Sequence, residues 1–374
     1  MSLDWPISND NKDDRMTSFE ALFDAAVDKL QVLTKDEARH FIEKGYVVVR
    51  GAFDRALAAT ICDVAWEELK DTGIERDCPE TWLQSSGMGH LRGYMRTQGN
   101  GEKILLKEMA PRAMMAQQDV AGANRLPGRG EQLAWGYSAI GNLGDEAAVW
   151  EPPAPEQPGW HKDGWHFRHF LDSPEQGLLV VPLFTDILPE SGGTFIAPDS
   201  IKVVANRLIN LPQGLHPDSV QGAGYLIPGM VEQCSEFEEM IGEAGDMVIL
   251  HPFMLHRVSV NPSLRARFIA NVAVVLDEPM CFSREDDNYS LSELTVIHAL
   301  NTTALDFEAS GPRKTVVPGP FRDEEQREKQ HLWLSQEMLE LHEAGLITPA
   351  WGPEQGYMSN AGRELLAQWS ARKD

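Results

Sequence analysis

The sequence is short of cysteine and of basic residues, and each shortage excludes a class of protein. The 374-residue chain has four cysteines, at positions 62, 78, 234 and 281, and no two of them form a CxxC pair. Isolated thiols of this kind indicate buried or incidental cysteines, not a disulfide framework or a zinc site. The 33 basic residues are outnumbered by 57 acidic ones, which gives a formal net charge of -24. Because nucleic-acid affinity depends largely on Lys and Arg neutralising phosphates, neither DNA nor RNA is an expected partner.

Long apolar runs are also missing. No uncharged apolar stretch approaches the length that spans a bilayer. The opening MSLDWPISNDNKDDRM has neither the basic region nor the apolar region of a secretory signal. We therefore expect a cytoplasmic protein that does not insert into a membrane.

What the composition does supply is enough apolar material for a sizeable core. Hydrophobic residues make up 42% of the chain, with ten Trp and fourteen Phe, and the charged fraction of 24% is ordinary for a globular protein. Barrels with helical additions reach this length as one unit. We expect one domain over 1–374, with a polar segment at 1–30, a helix-and-strand part with a loop lid at 31–132, a β core at 133–276 and a helical extension at 277–374.

The amino-terminal part is typical of a helix, a strand and a second helix. A capping box at 34–37 predicts a helix that Gly45 ends. The β-rich run 46–49 follows, and the pattern at 55–69 is again helical. A further helix is predicted at 108–119.

From residue 133 the pattern changes to short apolar runs separated by Gly, Pro, Asp and Asn. This pattern favours an antiparallel barrel or a double-sheet jelly roll, interrupted by a helix near Ile201–Leu208. The predicted strands are 133–140, 160–167, 178–187, 193–196, 246–250, 256–260 and 268–276. The predicted fold class is therefore mainly β with helical decoration.

An HxD motif and a distal histidine stand out in this region. Two imidazoles and one carboxylate form the set that holds non-heme Fe(II) on one face and leaves other coordination positions open. Residues i and i+2 of a strand point to the same side, so His161 and Asp163 can bind one ion from one strand. The third ligand must come from elsewhere, and both His251 and His256 lie on a suitable segment. Alone, the HxD motif is a weak signal, because such pairs often arise by chance.

Arg267 is a candidate for binding a co-substrate beside these metal ligands. It lies eleven residues after His256, at the start of the next predicted strand. A metal pocket that holds a dicarboxylate co-substrate needs a cation for the far carboxylate. An arginine meets that carboxylate bidentately and does not deprotonate.

Together these residues resemble the phytanoyl-CoA dioxygenase-like family of Fe(II)/2-oxoglutarate-dependent oxygenases. The matching segments, over about 33–276, are LTKDEARHFIEKGYVVVRG, WHKDG, Leu183–Asp186, SGGTFIAPDS, and His256 with Asn261, Ser263 and Arg267. The resemblance implies a double-stranded β-helix core and an iron site made of His161, Asp163 and His256. It also implies 2-oxoglutarate bound with its far carboxylate on Arg267. The spacing to Arg267 in that family favours His256 over His251.

Further site residues are candidates by position only. For 2-oxoglutarate they are Tyr137, Asn142 and Thr194, and for the substrate they are Arg92, Trp165 and His166. The chain departs from the family in two places. Asp-Ser-Ile stands at 199–201 where Gly-Ser-His is frequent, and the strand at 178–183 lacks a hydroxyl that some members turn toward 2-oxoglutarate.

The resemblance implies oxidation of an unactivated C–H bond in a small-molecule metabolite, with hydroxylation as the default outcome. Fe(II), 2-oxoglutarate and O2 are the expected cofactors, and succinate and CO2 are the expected co-products. Asp163 speaks against a halogenase, in which a small residue leaves room for chloride, whereas desaturation, epoxidation and rearrangement stay open. Two alternatives also stay open: a cupin-like metalloenzyme that does not use 2-oxoglutarate, and a non-catalytic barrel that binds a small molecule.

The carboxyl-terminal extension is predicted to be helical. Arg322–Ala344 and Gly362–Arg372 both carry an amphipathic pattern. These helices could pack on the barrel or on a second copy of the chain, in which case they would form a homo-oligomer.

Overall fold

The structure, a computed structural model, describes residues 18–83, 92–164, 166–212, 214–215, 230–311 and 313. The α-helices in these ranges are α1 (Phe19–Val27), α2 (Lys35–Lys44), α3 (Arg55–Lys70), α4 (Leu106–Met109), α5 (Pro111–Ala121), α6 (Ser200–Ile209) and α7 (Leu291–Ala299). The strands are β1 (Tyr46–Val49), β2 (Tyr94–Arg96), β3 (Lys103–Leu105), β4 (Ala134–Gly136), β5 (Ile140–Asn142), β6 (Leu178–Pro182), β7 (Thr194–Ala197), β8 (Glu238–Glu239), β9 (Met247–Leu250), β10 (Leu255–Val258), β11 (Arg267–Ile269) and β12 (Val272–Val274).

Two antiparallel sheets form the core. In the first, β1, β9, β6 and β12 lie side by side in that order. Three further strands, in the order β11, β5, β2, continue this sheet. Only Ala270 and Asn271 separate β11 from β12, so we describe the two sets of strands together as the first sheet. The second sheet has the order β10, β7, β8, and His161 joins its β10 edge through an isolated bridge to His256.

Both sheets line one cavity. Leu179, Leu250 and Arg267 border it from the first sheet, and Thr194 and His256 border it from the second. Two antiparallel sheets around a shared interior form a jelly roll. The predicted fold class, mainly β with a double-stranded β-helix core and helical additions, is therefore confirmed.

Helices cover the outer face of the first sheet. α2 packs against β1 and α7, and α7 also contacts α1, α5 and α6. β6 and β9 are consequently buried along their whole length. Because side chains alternate between the faces of a strand, Leu179 and Val181 line the cavity while the intervening Val180 faces away from it.

The capping box at the start of α2 forms as predicted. The Thr34 hydroxyl accepts a hydrogen bond from the Glu37 backbone N–H, and the Glu37 carboxylate accepts one from the Thr34 N–H. Gly45 ends the helix with a φ of 73°. In this left-handed conformation glycine has no Cβ to clash with the backbone.

Other boundaries differ from the sequence prediction. The helix predicted at 108–119 is divided at Ala110, because Pro111 lacks an N–H and starts a new helix. The strand predicted at 133–140 is divided into β4 and β5, and the one predicted at 268–276 into β11 and β12. The described residues of 160–167 form no regular strand: His161 makes an isolated bridge to His256, and the chain then turns at Gly164.

α1 falls within the segment described as polar, where no helix was predicted. α7 falls within the extension after 277 that was predicted to be helical, but before the two helices predicted there by position. A capping box made of Ser290 and Glu293 starts α7. The predicted helices Arg322–Ala344 and Gly362–Arg372 lie outside the described residues. Among the helices that are described, none is both long enough and apolar enough to cross a membrane.

Candidate metal centre

Backbone pairing brings two histidines together from distant parts of the chain. The His161 N–H donates to the His256 carbonyl at 3.0 Å, and the His256 N–H donates to the His161 carbonyl at 2.9 Å. The two imidazole rings lie with their centroids 4.3 Å apart. The contact therefore depends on sheet pairing and not on flexible side chains alone.

Backbone carbonyls fix which ring nitrogen of each histidine is protonated. Nδ1 of His161 lies 2.8 Å from the Gly159 carbonyl, and Nδ1 of His256 lies 3.1 Å from the Met254 carbonyl. A carbonyl oxygen can only accept, so each Nδ1 carries the proton and each Nε2 presents a lone pair. This arrangement is typical of metal-binding histidines.

Asp163 lies between the two Nε2 atoms. Its Oδ1 is 3.5 Å from Nε2 of His161 and 3.8 Å from Nε2 of His256. The three potential ligand atoms lie within 4.8 Å of one another, and Nε2 of His256 is buried with no hydrogen-bond partner among the described residues. A buried imidazole nitrogen of this kind needs a partner, and a cation would provide one. The chain carries a two-histidine, one-carboxylate site.

The protonation states suit a cation. Burial lowers the pKa of His256 to about 4, so its imidazole is neutral at neutral pH. Burial alone would raise the pKa of Asp163, but His256, His161 and the Asn271 amide together hold it below its ordinary range. The site therefore presents a neutral imidazole at His256 and a carboxylate at Asp163.

His251, the competing histidine, lies elsewhere. It is fully buried, its Nδ1 accepts a hydrogen bond from the Phe253 N–H at 3.2 Å, and its ring packs edge-on against the ring of Phe253. It is not part of the cluster that Asp163 forms with His161 and His256. The structure thus places His256, and not His251, beside the HxD pair.

A buried lysine supports the segment behind the ligands. The Lys162 ammonium, 2% exposed, donates to the Asp163 carbonyl at 3.2 Å and lies 2.8 Å from Nδ1 of His169. Nε2 of His169 lies 2.6 Å from the Gly164 carbonyl, so it donates there and leaves Nδ1 as the acceptor for Lys162. Burial lowers the pKa of Lys162 to about 7. These contacts close the turn that follows Asp163.

Arg267 lies in the same cavity, as the sequence pattern predicts. It is 2% exposed, and its Nε donates to the Gly192 carbonyl at 2.9 Å. Its Nη1 is buried and has no hydrogen-bond partner among the described residues. Burial lowers the pKa of Arg267 to about 10, which leaves the guanidinium charged at neutral pH. A buried guanidinium of this kind, with a nitrogen that has no partner among the described residues, can bind an anion.

The other co-substrate candidates divide into two groups. Thr194 lines the cavity. Tyr137 and Asn142 are not among the described residues that line it, and the Asn142 amide donates to the Ser259 carbonyl at 2.9 Å. Asn142 therefore supports the connection after β10. It also pairs directly with Arg267 and Tyr94, and its contact with the co-substrate stays a prediction.

The substrate candidates are not collected at the cavity. Arg92 is exposed and lies 3.6 Å from the Asp145 carboxylate, and it does not line the cavity in the described structure. His166 is half-buried with its ring against Phe167, and burial lowers its pKa. Trp165 lies outside the described residues.

Two residues that no motif indicated do reach the site. Tyr94 of β2 lines the cavity close to Arg267, and the Asn271 amide donates to Oδ2 of Asp163 at 2.8 Å. Strand alternation could have pointed to Asn271, because it lies four residues after Arg267 and so belongs to the same strand face. No comparable signal points to Tyr94, because β2 was not predicted.

No protein-family model matches the chain, and no curated protein matches it in sequence. Solved structures do match. The non-heme alpha ketoglutarate dependent carbocyclase SnoK from nogalamycin biosynthesis is 16% identical, with 66% of this chain and 86% of that chain covered and a TM-score of 0.43. EctD from S. alaskensis, with 2-oxoglutarate and 5-hydroxyectoine, is 13% identical over 78% and 93% of the two chains, with a TM-score of 0.36. HygX from Streptomyces hygroscopicus, with nickel and 2-oxoglutarate, is 13% identical over 64% and 85%, with a TM-score of 0.33. Likenesses at this level assign no activity.

Proposed function

We propose that this protein is a non-heme iron oxygenase that uses 2-oxoglutarate as co-substrate. The observation that carries the proposal is one cavity lined both by His161 and His256, which cluster with Asp163, and by the buried Arg267, whose Nη1 has no hydrogen-bond partner among the described residues. A metal site alone would not need that arginine. An anion-binding arginine alone would not need the cluster.

The described residues fit a ferrous ion. Two imidazole nitrogens and one carboxylate oxygen form a set of three ligands that non-heme Fe(II) oxygenases use. Both imidazoles are oriented by backbone carbonyls, and a neutral ring is the form that binds metal. His161, Asp163 and His256 would hold the ion on one side.

The described residues also fit a dicarboxylate. Arg267 would bind the carboxylate far from the metal through Nη1, while its Nε stays on the Gly192 carbonyl. Thr194 and Tyr94 line the same cavity and offer hydroxyl groups to that carboxylate. Apolar side chains of Leu179, Val181, Leu250 and Ile269 form much of the remaining wall and exclude water from it.

Bound iron and 2-oxoglutarate would supply the oxidation of an unactivated C–H bond by O2, with succinate and CO2 as co-products. The chain's own residues bind and orient. Asp163 and the two histidines fix the position of the ion, Arg267 fixes the co-substrate, and the apolar wall keeps the reacting groups dry. Hydroxylation of a small metabolite is the reaction we propose, within the phytanoyl-CoA dioxygenase-like group that the motifs resemble.

We also infer that the substrate carries an anionic group. Tyr94 and Arg96 lie two residues apart on β2, so their side chains share the face that lines the cavity. Arg96 is exposed, and in the described part of the chain it has no carboxylate partner. Two other exposed arginines, Arg55 and Arg76, lie against Asp or Glu. In a chain of net charge -24, an arginine at the cavity with no carboxylate partner among the described residues supports a negatively charged ligand.

Reconstitution under anaerobic conditions tests the main proposal. We expect one Fe(II) per chain and, after O2 is admitted, iron-dependent succinate release in a substrate screen. Asp163→Ala should abolish both, because it removes the carboxylate ligand and leaves only two imidazoles. Arg267→Gln should keep the metal but raise the KM for 2-oxoglutarate by more than about thirtyfold, since a buried charged hydrogen-bond pair contributes about 2 kcal/mol or more.

Asp63→Ala is the matched control, because Asp63 is exposed and contacts only Arg76 among the described residues. It should leave metal binding and turnover unchanged. Succinate formation retained in Asp163→Ala would contradict the proposal. Metal-dependent product without succinate would instead favour a cupin-like enzyme, and absence of metal binding would favour a non-catalytic barrel.

A further inference from the structure

We propose that Asn271 is a positioning residue of the metal centre, which holds the Asp163 carboxylate so that it offers the metal one oxygen and not two. This inference rests on the metal site of the proposed function but not on the identity of the substrate. Nothing in the motif pattern assigns a role to Asn271.

The two oxygens of Asp163 have different surroundings. Oδ1 faces the Nε2 atoms of His161 and His256, at 3.5 and 3.8 Å. Oδ2 accepts a hydrogen bond from the Asn271 side-chain amide at 2.8 Å. An ionised carboxylate can only accept, so Nδ2 of Asn271 must face Asp163 and the orientation of the amide is fixed.

The position of Asn271 follows from the run of chain that begins with β11. Arg267, Ile269 and Asn271 alternate along one run of chain, and all three line the cavity. The run is interrupted between β11 and β12, and Asn271 lies in that interruption. One short run of chain, β11 and the two residues after it, therefore carries the anchor for the co-substrate, an apolar wall residue and the group that orients the metal's carboxylate ligand.

The consequence is a fixed number of open coordination positions. A carboxylate binds a metal through one oxygen or through both, and each additional oxygen takes up one position. Oxygenases of this class need positions for the co-substrate and for O2 beside the three protein ligands. By retaining Oδ2 in a hydrogen bond, Asn271 keeps Asp163 in the one-oxygen mode.

The other end of the amide is also informative. Oδ1 of Asn271 is buried and has no hydrogen-bond partner among the described residues. An asparagine that served only to stabilise the strand would have both ends paired within the protein. Here one end holds Asp163, and the other is left as an acceptor for an N–H or O–H group of a bound ligand.

The test uses metal alone, so that no substrate is needed. We expect Asn271→Leu, which keeps the side-chain size but removes the donor, to weaken the Kd for Ni(II) by about tenfold to a hundredfold in titration calorimetry. The Co(II)-loaded variant should differ from the Co(II)-loaded wild type in its visible absorption, because the set of metal-bound oxygens changes. The thermal midpoint of the metal-free variant should stay close to that of the wild type.

Val272→Ala is the matched control. Val272 is the next residue, it pairs with Val180, and it does not line this cavity in the described structure. It should leave the Kd and the Co(II) spectrum unchanged. If Asn271→Leu bound Ni(II) like the wild type, or weakened it only as far as Val272→Ala does, the role of Asn271 would be refuted while the proposed function stood. A wild-type protein that binds no metal would refute both.

Discussion

At the scale of single residues, the site shows how two similar histidines acquire different roles. His251 and His256 are both buried with lowered pKa values. The difference is in what their ring nitrogens face: Nδ1 of His251 accepts a backbone N–H, whereas Nδ1 of His256 donates to a backbone carbonyl and directs Nε2 toward Asp163. Partner geometry, and not burial, separates the structural histidine from the candidate ligand.

The pH dependence of stability tests this view of His251. Burial lowers its pKa from 6.5 to about 3, so between these values the unfolded chain binds more protons and the free energy of unfolding falls as the pH falls. Between pH 7 and 5, protonation of His251 in the unfolded chain is expected to lower the free energy of unfolding by about 2 kcal/mol. His251→Asn keeps a hydrogen-bond acceptor but cannot become charged.

Urea unfolding of the metal-free protein at the two pH values measures the effect. Between pH 7 and 5, the free energy of unfolding should fall by about 2 kcal/mol less in His251→Asn than in the wild type. It should retain its Kd for Ni(II). An unchanged pH dependence would show that His251 is not held neutral by the fold.

Most of the candidate site could be predicted from residue type and spacing. His161, Asp163 and Arg267 are found because metal ligands and carboxylate anchors are restricted to a few residue types. Asn271 and Tyr94 were missed because an amide or a phenol is ordinary in any strand, and only the pairing of strands brings them to the cavity. Asn142 was proposed from its position in the sequence, which does not show that its amide donates to the Ser259 carbonyl.

At the scale of elements, the HxD segment is held without a regular strand. One bridge fixes His161, and the contacts of Lys162 with His169 and of His169 with Gly164 fix the turn beyond Asp163. Gly164 has a φ of 121°, and a Cβ there would lie 2.6 Å from Cε1 of His169. The turn therefore depends on glycine for both its backbone conformation and its packing.

Gly164→Ala is expected to destabilise the protein and to displace Asp163. Gly101→Ala is the matched control, because Gly101 also has positive φ, of 81°, but a Cβ there would meet nothing within 4 Å. We expect the free energy of unfolding to fall by about 1 kcal/mol in the control. In Gly164→Ala it should fall by about 2 kcal/mol more, because only this variant adds a steric clash. Urea unfolding measures both values.

Ni(II) titration of the same two variants distinguishes an effect on the metal site from a general loss of stability. The affinity should fall at least tenfold in Gly164→Ala, because the clash lies one residue from Asp163, and it should be unchanged in Gly101→Ala. Equal metal affinity in the two variants would show that the turn does not position the carboxylate.

The elements themselves were predicted where local signals were strong. α2 and its capping box, β1, α3 and the buried strands β6 and β9 follow from apolar periodicity and end signals. The short β2, β3 and β8 were missed, because strands of two or three residues have too few positions for alternation to be recognised. The 160–167 segment was predicted as a strand because its composition is β-rich, and only the packing against His169 shows why it turns at Gly164.

At the scale of the whole molecule, the charge of the cavity differs from that of the chain. The protein carries a net charge of -24, whereas Arg96, Arg257 and Arg267 all line the cavity. Arg267 is assigned to the co-substrate in the proposed function, and Nη1 of the buried Arg257 donates to Gln157. Arg96 is then the exposed cation that we assign to distinguishing an acidic substrate from a neutral one.

A screen of small carboxylic acids, each paired with its primary amide, tests this contrast through succinate release. We expect kcat/KM to favour the acid of a turned-over pair by about fivefold, which corresponds to about 1 kcal/mol for an exposed ion pair. Arg96→Gln should remove most of that preference and leave the KM for 2-oxoglutarate unchanged. Arg76→Gln, which alters an exposed arginine paired with Asp63, should change neither quantity. Amides turned over as well as their acids would contradict the expectation of an anionic substrate.

The backbone bridge between His161 and His256 also determines when the centre can form. It joins segments that lie far apart along the chain, and closing so long a loop costs conformational entropy that only the finished sheets offset. An unfolded or half-folded chain therefore presents isolated ligands and not the assembled site. A metal ion held there would bind the native protein after the slow step of folding, so it would slow unfolding without speeding folding.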